Sequence, residues 1–348
     1  MKHSIKILLV NTRIDISLIS RYRGELMGLA MLCVLAGHCY LSEVLPGHLY
    51  AALSIVMYGF FTQGFLLLSG LGLYVSFSKN PNIKEFYKRR IWRVLIPYLI
   101  IATPYFIFTD IYAHHDALAF VAHETTLAFF FQGNFSGMWY IAASLFLYAI
   151  YPFVHKFLFD HKHTELRLLI LVTMILVVTL SLYRYCPDYY ELIRIGLDRV
   201  SVFFVGAYIM YMSYKRQSIN MLIGGGILLF AILSWRFSGS SELMLLLSMI
   251  FLPLALAIIF GYVFKWVSQV RPLTIINNVF SWLGKYSLEI YIIHLLVFNL
   301  LKDYVLTNTT EQICMVIGEA TALVLCLPVH RVVDVTISNI RKNVNYDK

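Results

Sequence analysis

Residues 243–264 read LMLLLSMIFLPLALAIIFGYVF, a run of 22 residues without a charged side chain. As an α-helix this run is about 33 Å long, enough to cross a hydrocarbon core of roughly 30 Å. Nine further apolar stretches of comparable character lie at approximately 26–45, 51–77, 91–109, 139–159, 166–182, 200–214, 219–235, 287–304 and 313–330. The 348-residue chain as a whole is 59% hydrophobic and 14% charged, with a mean hydropathy of +0.73, which is more apolar than a water-covered domain tolerates. These features predict an all-α polytopic membrane protein, a bundle of about ten transmembrane helices. Residues 1–24 form a cytoplasmic amino-terminal segment, 25–330 the transmembrane domain, and 331–348 a cytoplasmic tail.

Charge sets the orientation. With the amino terminus inside, 23 of the 28 Lys and Arg residues fall on inner segments, and only Arg184, Arg194, Arg199, Arg236 and Lys302 fall outside. The asymmetry predicts both termini in the cytoplasm. The formal charge of +9 is thereby assigned to orientation, to membrane lipids and to anionic cytoplasmic partners, and no basic domain exists to hold a nucleic acid. Cys33, Cys39, Cys186, Cys314 and Cys326 are scattered singly without metal-ligand spacing, so they read as small apolar residues. The first 20 residues hold only the short apolar run Ile7 to Val10 and no small-residue cleavage site, which argues against a cleaved signal peptide.

Ionisable side chains inside a span are costly and call for an explanation. In LMGLAMLCVLAGH, Leu26 to His38, the histidine lies about 18 Å above the cytoplasmic end of its helix, past the midplane. It reads either as a neutral imidazole bonded within the bundle or as a functional group. In LGKYSLEIYIIH, Ser287, Tyr291 and His294 stand at i, i+4 and i+7 on one stripe, with Glu289 directed elsewhere. That stripe suits proton transfer or recognition of a hydroxyl-rich ligand, and equally an interhelical hydrogen-bond seam. FYKRRIWRVLIP, Phe86 to Pro97, gathers Arg89, Arg90 and Arg93 at the cytoplasmic mouth of the third span, where guanidinium groups bind phosphate or lipid headgroups. His114, His115, Asp116 and His123 match no strong metal pattern, and solvation is the expectation for them. Trp139, Tyr140, Tyr148 and Tyr151 read first as an interfacial belt and second as a sugar-stacking surface, while Glu319 has no partner assignable from sequence.

Five of these segments together are similar to the acyltransferase-3 family, integral-membrane proteins that use acyl-CoA to acylate carbohydrates and other hydroxylated acceptors. They are ELMGLAMLCVLAGHCY ending beyond His38, GFFTQGFLLLSG with Ser69 and Gly70, FYKRRIWRVLIPY, WYIAASLFLYAIYP, and LGKYSLEIYIIH, in family order. The resemblance implies that His38 is the catalytic histidine and that Arg90 and Arg93, with Arg89 beside them, meet the CoA phosphates. It places Tyr291 and His294 in the substrate cavity, to which Ser69, Trp139 and Ser287 are added as candidates. One position departs from the family, whose members commonly carry an arginine eleven residues before the histidine; here that residue is Met27. Arg23 lies one turn lower, about 22 Å from His38 along the axis and about 60° off its face, so it can serve a donor at the entrance but cannot touch His38.

The expected reaction moves an acyl group, acetyl first among them, from acyl-CoA to a hydroxyl of a cell-surface or lipid-linked carbohydrate at a bacterial cytoplasmic (inner) membrane. His38 would act as acid/base or transient acyl carrier. No permanently bound cofactor and no metal is expected. Some relatives carry an extracytoplasmic hydrolase-like domain, and nothing of that size follows Tyr304 or His330, so this chain is expected to act alone, as a homo-oligomer, or with a separate glycan-assembly partner. The rival readings are a secondary transporter, which matching Gly- or Pro-broken helices would support, and a non-catalytic partner in polysaccharide export. The Gly224, Gly225, Gly226 run keeps the first of these open.

Overall fold

The computed structural model describes residues 13–134, 137–307 and 309–346. The chain begins with β1 (Arg13–Ile14), α1 (Ser17–Arg21), α2 (Arg23–Leu41), α3 (Gly47–Phe60), α4 (Thr62–Lys79), α5 (Ile83–Arg90) and α6 (Ile96–Phe106). It continues through α7 (Ala117–Glu124), α8 (Ala128–Gln132), α9 (Trp139–Phe159), α10 (Thr164–Tyr185), α11 (Pro187–Leu197) and α12 (Val200–Tyr214). After β2 (Ile219–Asn220) come α13 (Met221–Arg236), α14 (Glu242–Gln269), α15 (Thr274–Lys285), α16 (Ser287–Leu300) and α17 (Glu311–Tyr346). Several starts carry a polar cap: the side chains of Asn82, Asp116, Asn220 and Ser241 accept backbone N–H groups at the starts of α5, α7, α13 and α14.

All ten predicted stretches are helical, but the span count is lower. Among the described residues six helical stretches are long and apolar enough to cross a membrane, and a seventh arises if α3 and α4 count as one span. That pair bends by 45° at Phe61, so the stretch predicted as a single span over 51–77 is broken. The other three stretches correspond to α12, α13 and α16, of 15, 16 and 14 residues. At 1.5 Å per residue α12 and α13 are about 23–24 Å long, short of a full hydrocarbon core, while a π turn over Leu301–Val305 continues α16. The third span is longer than expected, Ile83–Ala113, because π-helical turns at Ile91–Leu95 and Ile107–Ala113 continue it on either side of α6. Pro97 and Pro104 flank those turns, and the N–H each lacks loosens the regular ladder. In the segment predicted as a tail from residue 331, α17 continues without a break to Tyr346.

The helices group into two compact units. The first unit comprises residues 1–34, 48–81 and 151–285. Its closest packing rests on glycine: a Cβ at Gly70 would lie 1.8 Å from the Phe203 carbonyl oxygen, and one at Gly206 1.9 Å from that of Leu67, so α4 and α12 touch backbone to backbone. Within a membrane, where apolar side chains gain little by leaving lipid, such small-residue contacts are what allow helices to pack closely. On α10 the apolar side chains Leu166, Leu169, Ile170, Met174, Val177 and Val178 are exposed, a surface suited to lipid and ill suited to water. Residues 13–14 pair antiparallel with 219–220 at the edge of this unit.

The second unit comprises residues 35–47, 82–150 and 286–348. Its centre is the contact of α16 with α17, where a Cβ at Gly318 would lie 2.8 Å from the backbone oxygen of His294. That close approach lets α17 cover α16 at the level of His294, and α16 is buried from Glu289 to Leu296.

Candidate active site

The end of α2 and the middle of α16 bring two imidazoles together in the second unit. The ring centroids of His38 and His294 are 5.3 Å apart and tilted by 57°, inside the range of direct ring contact. His38 is half-buried and His294 is fully buried. The Nδ1 of His294 lies 2.8 Å from the backbone oxygen of Ile290, one helical turn earlier. A carbonyl can only accept, so Nδ1 carries the proton, and Nε2 of the neutral ring holds a lone pair. That Nε2 is buried and has no hydrogen-bond partner among the described residues.

A row of aromatic rings leads to this pair. Tyr291 contacts His294 at 5.9 Å and Tyr140 at 5.5 Å, and Tyr140 meets Trp139 edge-on at 6.0 Å. The Tyr291 hydroxyl donates to the backbone oxygen of Gly137. Gly137 has φ +79, a conformation that side chains rarely adopt, and a Cβ there would collide with Leu295. The loop before α9 can therefore press against α16 and present its carbonyl to the phenol. Ser287 is buried at the first position of α16, two turns before His294 on the predicted stripe.

On the neighbouring face of α2, the Cys39 thiol donates to Glu319 Oε2 at 3.2 Å, which supplies the partner for Glu319 that sequence could not assign. The other carboxyl oxygen of Glu319 is buried without a partner among the described residues. Cys39 is thus a polar contact as well as a small residue. Glu289 does point away from the histidine stripe: its Oε1 lies 2.6 Å from His330 Nδ1 on α17. Elsewhere on α16, Ile293, Val297 and Leu300 face Ile101, Pro104 and Phe108 across an apolar groove of about 530 Å³.

The family model described as an acyltransferase domain matches residues 26–331. The chain belongs to the acyltransferase-3 family. Neither the curated proteins nor the solved structures contain a match to it. The acyltransferase domain takes in nine of the ten candidate site residues, from His38 to His294, while Arg23 lies just before it.

The basic residues of this acyltransferase divide between the units. Arg89 and Arg90 close α5 and Arg93 sits in the π turn that follows. Arg90 lies over the rings of Phe86 and Tyr148, 5.6 and 6.0 Å from their centroids, while Arg93 is exposed. Arg341 of α17 stacks on Trp92 at 5.0 Å and so brings a fourth guanidinium to the ring that precedes Arg93 in sequence. Sequence reading placed Arg341 in a tail, because 248 residues separate it from Arg93 and no local pattern links them. Arg23 and Ser69 belong to the first unit. Arg23 Nε donates to the backbone oxygen of Leu68 at 3.0 Å, and its guanidinium lies against Gly72, so α4 holds this side chain. Ser69 is buried within α4.

Of the four polar residues in the loop and helix after the third span, His114, His115 and Asp116 are exposed as expected, and His123 is not. His123 is half-buried: its Nδ1 lies 2.7 Å from Asp110 Oδ2, its Nε2 3.2 Å from Gln132 Oε1, and its ring stacks on Phe106 at 4.7 Å. For His123 alone solvation was the wrong expectation, because Asp110, thirteen residues earlier, is buried and supplies a partner. Nearby, burial raises the Glu124 carboxyl above its usual range while a hydrogen bond from Thr103 works against it. Among the described residues no three His, Cys, Asp or Glu side chains are grouped to hold a metal ion.

Proposed function

We propose that this acyltransferase moves an acyl group, acetyl first among them, from acyl-CoA to a hydroxyl of a cell-surface or lipid-linked carbohydrate. The observation that carries the reading is the His38–His294 imidazole pair inside an apolar bundle of a chain that belongs to the acyltransferase-3 family. His38 serves as the acid/base or as a transient acyl carrier. In the first route it removes the proton of the acceptor hydroxyl as that oxygen attacks the thioester carbonyl carbon. The C–O bond forms, the C–S bond breaks, and the sulfur leaves with a proton as free CoA. In the second route the imidazole takes the acyl group first and the hydroxyl takes it from there.

The donor's phosphates sit on Arg90 and Arg93, with Arg89 and the stacked Arg341 completing the basic mouth, because guanidinium forks pair bidentately with phosphate. Arg23 joins them only by leaving the Leu68 carbonyl. Trp139, Ser287, Tyr291 and His294 shape the acceptor side, with Ser69 as an outlying candidate. With both termini inside a bacterial cytoplasmic membrane, the donor arrives from the cytoplasm and the acceptor from the other face. The apolar groove between α6 and α16 suits the hydrocarbon part of a lipid-linked sugar and favours that acceptor class.

The transporter reading gains little support. One bent pair, α3 and α4, occurs among the described residues, without a matching second, and the Gly224 to Gly226 run lies inside the unbroken α13. The test is to incubate membranes with radiolabelled acetyl-CoA and follow label into the glycan and lipid-linked sugar fractions. Wild-type membranes are expected to transfer label and His38→Ala membranes to transfer none while the protein still inserts. Transfer that survives His38→Ala would remove the mechanism.

A further inference from the structure

We propose that His294 is a positioning residue for His38, whose Nε2 lone pair accepts a hydrogen bond from the imidazolium that forms when His38 takes the acceptor's proton. The inference rests on the acid/base form of the acyl-transfer reading and adds a second imidazole to it.

The geometry supplies each part. The Ile290 carbonyl fixes the proton of His294 on Nδ1, so the lone pair is on Nε2 by elimination and not by choice of tautomer. Nε2 is buried with no partner among the described residues, and a bare acceptor in an apolar interior is a group prepared for a donor. The neighbouring ring is His38, with 5.3 Å between centroids. Gly318 brings α17 down onto the backbone at His294, and the whole residue is shut off from solvent.

Chemically, the costly species in this reaction is a charged imidazolium within the membrane interior. As the acceptor oxygen attacks, its proton passes to His38, and His38 becomes a cation. An N–H of that cation donates to His294 Nε2, which spreads the charge over two rings. When the C–S bond breaks, His38 returns the proton to the departing sulfur. Both rings end neutral, and no oxidant, reductant or further co-reactant is consumed.

Two substitutions at position 294 separate this role from packing. His294→Phe keeps a ring but removes the lone pair; its kcat is expected to fall roughly 100-fold while KM for acetyl-CoA stays within about threefold. His294→Gln places a polar amide in the same apolar site but offers an acceptor oxygen, and it is expected to retain more activity than the phenylalanine variant. Packing alone predicts the reverse order. In a His38→Ala background, adding His294→Phe is expected to lower the residual rate no further. Wild-type kcat in His294→Phe, or less activity in His294→Gln than in His294→Phe, would overturn the inference and leave acyl transfer standing. If the phenylalanine variant fails to accumulate, His294→Leu, which also lacks an acceptor, takes its place, and a wild-type kcat there overturns the inference. Wild-type protein that acylates nothing would defeat the underlying reading and this inference with it.

Discussion

His155 in the first unit and His294 in the second are both buried in helices, and each leaves one ring nitrogen without a partner among the described residues. Their surroundings differ. His155 is packed among Tyr74, Phe77, Tyr151 and Phe159, with centroids 4.8–5.7 Å away, and its Nε2 meets the Ser78 hydroxyl at 3.2 Å. A hydroxyl can donate or accept, so nothing there fixes the tautomer. His294 has its tautomer set by a carbonyl and another imidazole as neighbour. Burial and a bare nitrogen are therefore not enough to make an acid/base site; a fixed proton and a second titratable ring mark the difference. The first unit's histidine belongs to an aromatic core, and the second unit's is the one to which we assign chemistry.

If that division holds, substitutions in the second unit change kinetics and those in the first change stability. The largest kinetic shift outside the histidines is expected from Arg90→Ala combined with Arg93→Ala. Loss of two phosphate contacts should raise KM for acetyl-CoA roughly tenfold or more with little change in kcat. An unchanged KM would remove these arginines from the donor site.

A smaller effect, on stability, is expected at Asp198. The Tyr190 hydroxyl donates to Asp198 Oδ1 at 3.1 Å and to Glu242, and Arg194 Nε is 3.9 Å from Asp198 Oδ2. Burial raises the Asp198 carboxyl from 3.8 to about 6, against the pull of Arg199. Between those values the folded protein holds a proton that the unfolded chain has lost, so stability falls as pH rises through the window and levels off above it. Asp198→Asn is expected to flatten the apparent Tm against pH across that window and to leave kcat unchanged; an identical slope would contradict the assignment. The smallest change is expected from His155→Phe, which keeps a ring in the aromatic cluster. Its kcat and KM should match wild type, and a kinetic defect would break the contrast between the two histidines.

What could be read from the chain was what repeats locally. Apolar runs marked ten helices, and the i, i+4, i+7 rule placed Tyr291 and His294 on one buried face. The bend at Phe61 escaped because apolar content continues unbroken from α3 into α4. The amphipathic α11 and α15 escaped because their apolar residues form stripes and not runs. Pairs joined only by folding were invisible: Cys39 with Glu319, Glu289 with His330, Asp110 with His123, and Arg341 on Trp92. His38 could be singled out by its cost in a membrane, but its imidazole neighbour lies 256 residues away. Arg23, the candidate to stand in for the arginine missing at Met27, is engaged with α4 through the Leu68 carbonyl, a contact that sequence spacing could not show.

The most direct measurement is a single turnover of purified protein in lipid nanodiscs with radiolabelled acetyl-CoA and a lipid-linked sugar acceptor, comparing wild type, His155→Phe and His38→Ala. Label should reach the sugar at the same rate in the first two proteins and not at all in the third. Equal transfer by His38→Ala, or loss of transfer in His155→Phe with His38 intact, would contradict the assignment of the chemistry to the paired imidazoles.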